Sequence, residues 1–130
     1  MILDNYSYQL QGLRGATTCK ENSIKAIEFA VTELVSELVQ RNELGIDQIV
    51  SITFSVTSDL DACFPAAIAR KRKGWDEIAL LDCQQMKVEG DLKYCIRILA
   101  VAWLPKGIKP MHPYLREASL LRPDRSIENL

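Results

Sequence analysis

Arg97 is the residue whose setting first asks for a chemical explanation. It stands in the run Cys95-Ile96-Arg97-Ile98-Leu99-Ala100-Val101, the composition of a buried strand, with apolar neighbours on both sides. A guanidinium is almost never fully buried without an anion, because the cost of removing its water, on the order of several kcal/mol, is offset only by a close, hydrogen-bonded counter-charge. Either the protein supplies that anion, with Asp82 as an internal candidate, or a ligand does; alternatively Arg97 faces water from an edge strand. Arg14, at the end of the first strand pattern, is a second cation placed to point into a site, although a solvated loop arginine is the commoner case. Such residues do electrostatic chemistry: they grip carboxylates and stabilise negative charge as it develops.

Other chemistries find little support. The single histidine, His112, is far in sequence from the four cysteines, Cys19, Cys63, Cys83 and Cys95, which form no Cys-x-x-Cys pair. No zinc site is expected, and the thiols read as free and buried. One histidine also leaves little material for a nucleophile-and-base triad.

The 130 residues are expected to form one domain, with residues 1–7 as a loose extension and 123–130 as a mobile tail. At a formal net charge of -1, nothing draws the chain to nucleic acid or to an anionic membrane surface. No apolar run is long enough to cross a bilayer and Met1 to Tyr8 lacks the pattern of a signal peptide, so a cytoplasmic location is expected. The run Arg70-Lys71-Arg72-Lys73 lacks interleaved aromatics and reads as cations gathered at a helix C-terminus, not as an RNA surface.

The elements that must position these residues alternate in type. Tyr8 to Leu13 reads as a strand ending at Arg14-Gly15-Ala16-Thr17-Thr18, where Gly15 permits a turn. From an N-cap at Asn22 or Ser23 to Asn42, Ile24, Ile27, Val31, Leu34 and Leu38 recur at helical spacing. A short helical turn at Asp47 leads into a strand over 49–56. A short helix begins near Pro65 and stops at Gly74; Trp75 to Leu81 and Cys95 to Val101 are further strands, with a loop over 103–107 and no clear assignment for 111–124. The order predicts a mixed α/β domain, one sheet with helices on one side.

Several of these segments coincide with one family pattern. Leu13-Arg14-Gly15-Ala16-Thr17-Thr18, Asp59-Leu60, Phe64-Pro65-Ala66, Arg70, Gly74-Trp75, Cys95-Ile96-Arg97, Tyr114-Leu115 and Leu121-Arg122-Pro123-Asp124 resemble, in order and spacing, the small monofunctional bacterial chorismate mutases that form trimers. The resemblance implies a homotrimeric pseudo-α/β-barrel with active sites between subunits, isomerising chorismate to prephenate on the branch to phenylalanine and tyrosine. It implies no cofactor and no metal, and a unimolecular rearrangement of a dicarboxylate suits a chain rich in placed arginines but poor in nucleophiles.

By the same resemblance, Arg97 donates to the ether oxygen that becomes negative as the C–O bond breaks. Arg14 and Tyr114 hold the enolpyruvyl carboxylate. Phe64, Ala66 and Arg70 come from the neighbouring subunit, Ala67 stands at the pocket rim, Leu81 lines the pocket, and Leu121 and Arg122 cover it. The family's Cys-Met-Gln-Glu-Met reads Asp82-Cys83-Gln84-Gln85-Met86 here, so its glutamate is Gln85 and its cysteine Asp82; Ala67 replaces a common rim lysine. Asp82 is therefore expected to reach the pocket, accept the substrate hydroxyl and restore the missing carboxylate. A catalytically inactive trimeric dicarboxylate-binding or regulatory protein is the rival reading.

Overall fold

The computed structural model describes residues 7–122, so the extension and tail expected from the sequence lie, apart from Ser7, outside the described residues, as does Pro123-Asp124. Among the described residues, four strands and two α-helices follow the predicted order: β1 (Tyr8–Thr18), α1 (Ile24–Arg41), β2 (Ile49–Val56), α2 (Pro65–Ala69), β3 (Ala79–Gln84) and β4 (Cys95–Pro105). The sheet order is β1-β4-β2-β3, with β4 antiparallel to both neighbours and β3 parallel to β2. The β2–β3 crossover carries α2, as parallel pairing demands a connection that leaves and re-enters the sheet.

α1 forms because its apolar residues return every three or four positions and its first turn is capped: the Ala26 amide donates to Ser23 Oγ at 3.1 Å. Ile27, Val31, Leu34 and Leu38 are buried against Leu13, Ile52, Phe54, Ile96, Ile98, Ala100 and Leu104 of the sheet. α2 adds Ala66 and Ala69 to that core, so both helices cover one face. The other face carries Leu10, Leu81 and Leu99, all exposed, with Val101 and Trp103 only half-buried.

Several boundaries differ from the sequence expectation. β1 continues through Gly15 to Thr18; Gly15 is a strand residue, and its missing side chain is explained by Pro113 O, which a Cβ would approach to 2.6 Å. Trp75 does not begin a strand: it lies in a 3-10 turn over Trp75–Glu77 and is buried, because Gly74 takes a left-handed φ of 84° and turns the chain inward. β4 runs on through Trp103 to Pro105, so the expected loop starts later. α2 stops at Ala69, which leaves Lys71, Arg72 and Lys73 beyond its end; Arg72 instead donates to Ser36 Oγ at 3.2 Å and lies 5.8 Å from the Trp75 ring centre.

Residues 111–122, unassigned from sequence, are held by side chains remote from them. Buried Asn42 accepts from the Met111 amide at 2.8 Å and donates to the carbonyls of Met111 and Leu38, each at 2.9 Å. The chain then touches β1 through a parallel bridge, Ala16 to Tyr114, and closes in a 3-10 turn, Arg116–Leu121. Replacing Asn42 removes the bonds to both main-chain groups of Met111 at once, whereas Leu38 O keeps the amide of residue 42. Asn42→Ala is expected to lower unfolding stability by about 2 to 3 kcal/mol, read from the denaturant midpoint at unchanged slope.

Candidate functional site

The C-terminal ends of β1, β2 and β3 and the N-terminal end of β4 meet at one end of the sheet. Ser55 and Ala16 both lie opposite Arg97 in the register, so Arg97 projects from the open face between two strands. Its side chain is 26% exposed. One arm, Nη2, donates to Asp91 Oδ1 at 3.2 Å, whereas Nη1 is buried and has no hydrogen-bond partner among the described residues. A half-satisfied guanidinium is costly to keep, and it is the arrangement expected of a group whose remaining donor waits for an anion. The internal carboxylate is thus Asp91, not Asp82.

Arg14 stands two residues before Ala16 and so shares the open face with Arg97. Its own amide donates to His112 Nδ1 at 2.9 Å, which fixes the following segment alongside β1. Tyr114 is placed there by two bonds, the Leu115 amide to Ala16 O at 2.8 Å and the Ala16 amide to Pro113 O at 3.0 Å. The Arg122 guanidinium sits 6.0 Å from the Tyr114 ring centre, and Leu121 packs on the cluster of Ala16, Cys95, Tyr114 and Ala118. Gln85 continues past β3, its amide donating to Val56 O at 2.7 Å, while its Oε1 accepts from Ser55 Oγ at 2.6 Å. Arg14, Gln85, Arg97, Tyr114, Leu121 and Arg122 therefore belong to one constellation.

Asp82 does not join them within this chain. It pairs in register with Phe54, whose side chain is in the core, so it points to the helix-covered side. There Asp82 Oδ1 accepts from the Ala66 amide at 3.0 Å, at the start of α2. Burial pushes its carboxyl pKa up, opposed by the Ala66 amide and by the charge of Arg70. With exposed Phe64, buried Pro65 and half-buried Ala67, Asp82 lines a cleft of about 690 Å³. Ala66 contributes its amide, not its methyl, which is buried. Leu81 is exposed on the open face, opposite Thr53. The predicted set thus divides between the two faces of the sheet: Arg14, Gln85, Tyr114, Leu121 and Arg122 lie at the end that carries Arg97, whereas Phe64, Ala67 and Asp82 line the cleft by α2, with the charge of Arg70 acting on Asp82.

Sequence reasoning missed Asp91 and Ser55. The only signal for Asp91 was its place after Gly90, a turn pair six residues before Arg97, and Ser55 was legible only as a polar position in an alternating strand.

The fold is a mixed four-stranded α/β sheet whose open face carries Arg14 and Arg97, cations of the kind that bind a carboxylate. The family model for chorismate mutase type I matches residues 10–125, and the chain belongs to that family. It is 32% identical to Chorismate mutase AroH of Bacillus subtilis over 120 residues, 91% of this chain and 94% of the relative. It is 37% identical to Chorismate mutase AroH of Thermus thermophilus over 119 residues, 88% and 95% of the two chains. A solved structure, a chorismate mutase from Clostridium thermocellum, superposes with a TM-score of 0.79 at 38% identity, covering 85% of this chain and 98% of that one.

Two thiols are buried in this part of the fold. Burial is the main cause that pushes Cys19 and Cys95 up to about 11, so neither forms thiolate near neutral pH. Folded protein at pH 7 is expected to leave both unmodified by iodoacetamide, with labelling appearing only in denaturant; peptide mapping reads the result.

Proposed function

We propose that the protein is a chorismate mutase that isomerises chorismate to prephenate, with each active site assembled from two copies of the chain in a homotrimer. One observation carries the reading: the Arg97 guanidinium has one arm held by Asp91 and the other buried without a partner among the described residues, on the face it shares with Arg14 and with Ala16, which bridges to Tyr114. Chorismate is a dicarboxylate whose ether oxygen gains negative charge as the C–O bond breaks. A fixed guanidinium stabilises that charge without reorganising, and flanking cations hold the flexible substrate in a folded, near-attack shape.

In this reading Arg97 donates to the ether oxygen, while Arg14 and Tyr114 bind a carboxylate. Leu121 and Arg122 cover the bound substrate. Phe64, Ala66, Ala67, Arg70 and Asp82 complete the site from a second copy, since one chain holds them on the far side of the β3 edge. The uncovered apolar face of Leu10, Leu81, Leu99, Val101 and Trp103 supports such association, because burying it against another copy removes it from water. Asp82 supplies the carboxylate that Gln85 lacks, across the interface. The inactive dicarboxylate-binding alternative is not favoured, since the family and the reported relatives are chorismate mutases. No described helix is long and apolar enough to cross a membrane, and a cytoplasmic location fits the substrate proposed.

Purified protein is expected to consume chorismate and release prephenate, and Arg97→Ala to lose about 10²-fold to 10³-fold in kcat, about 3 to 4 kcal/mol. Near-normal turnover by that variant removes Arg97 from the reaction, and no turnover by the folded wild type removes the activity. Asp82→Asn is expected to cost about tenfold in kcat/KM, whereas unchanged turnover excludes the carboxylate from the site.

A further inference from the structure

Arg97 is held by a carboxylate that must share it with any anionic ligand. Asp91 follows Gly90, whose φ of 84° shapes a turn closed by the Asp91 amide on Val88 O at 3.1 Å. The Asp91 side chain is only 19% exposed, and its Oδ1 accepts both the Leu92 amide at 2.8 Å and Arg97 Nη2 at 3.2 Å. The carboxylate is therefore anchored by its own turn before it meets the guanidinium. Other nearby carboxylates are committed elsewhere: Asp59 accepts from Thr57 Oγ1 at 2.6 Å and from the Tyr94 amide at 3.0 Å, and Asp82 lies on the opposite face.

The contact is one-armed. A bidentate pair would occupy both forks of the guanidinium; one oxygen on Nη2 instead fixes the plane and leaves Nη1 buried and open. The same oxygen places negative charge where a dicarboxylate must come. Orientation favours turnover, and repulsion weakens binding.

We propose that Asp91 is a positioning residue that aligns Arg97 for the reacting oxygen at the expense of substrate affinity. The inference rests on the chorismate mutase reading. Asp91→Asn keeps an Oδ1 acceptor for both the Leu92 amide and Arg97 while removing the charge; Asp91→Ala removes the acceptor as well.

Steady-state kinetics on chorismate, with the fold of each variant checked by circular dichroism, test the proposal. Asp91→Asn is expected to lower KM by about threefold to tenfold with kcat held within about threefold, and Asp91→Ala to lower kcat by about tenfold or more without raising KM. A purely structural residue changes the folded fraction and leaves KM alone. An Asp91→Asn enzyme whose KM is unchanged or raised, alongside an active wild type, overturns this assignment only. A wild type that does not turn chorismate over overturns the activity reading and this inference together.

Discussion

The end of the sheet is arranged around a guanidinium that the chain satisfies only in part. Arg97 sits near the start of β4, paired with β1 on one side and β2 on the other, so the strands fix its direction. Strand alternation puts Ile96 and Ile98 into the core under α1 and leaves Arg97 on the face the helices do not cover. Asp91 meets one arm; the other is enclosed and has no partner among the described residues. Enclosure makes any anion that reaches this arm bind through a strong, weakly screened contact, which a solvated arginine could not offer.

The neighbouring features follow from keeping that end of the sheet in order. Gly15 lets the segment at Pro113 lie against β1, Asn42 pins Met111 beneath the end of α1, and the bridge at Ala16 delivers Tyr114. None of these residues handles an anion itself. Together they place Tyr114 against Ala16 and Cys95, with Arg122 over its ring, from a stretch with little regular structure of its own.

Much of this was legible in the sequence, for identifiable reasons. The spacing of Ile27, Val31, Leu34 and Leu38 defines α1, the alternation over 49–56 defines β2, and the isolated charge in an apolar strand marks Arg97. Trp75 misled because a large apolar residue beside Ile78 reads like a strand, whereas Gly74 reverses the chain there. The segment before Tyr114 could not be read because its order comes from Asn42, far away in sequence. The placement of Asp82 carries a simpler lesson. Asp82 and Gln85 are three positions apart along an extended run, an odd offset, so their side chains leave opposite faces. A carboxylate moved from one to the other cannot serve the same pocket in the same chain.

The claim that one chain carries two halves of different sites is tested most directly by subunit mixing. Arg97→Ala damages one half and Arg70→Ala the other, so each homogeneous variant is expected to be nearly inactive. Unfolded together at equal concentration and refolded, the two should regain about a quarter of wild-type activity, since random assembly pairs intact halves at about one interface in four. Activity that stays at the level of the separate variants would contradict the account, because it would place Arg97 and Arg70 in the same site of the same chain.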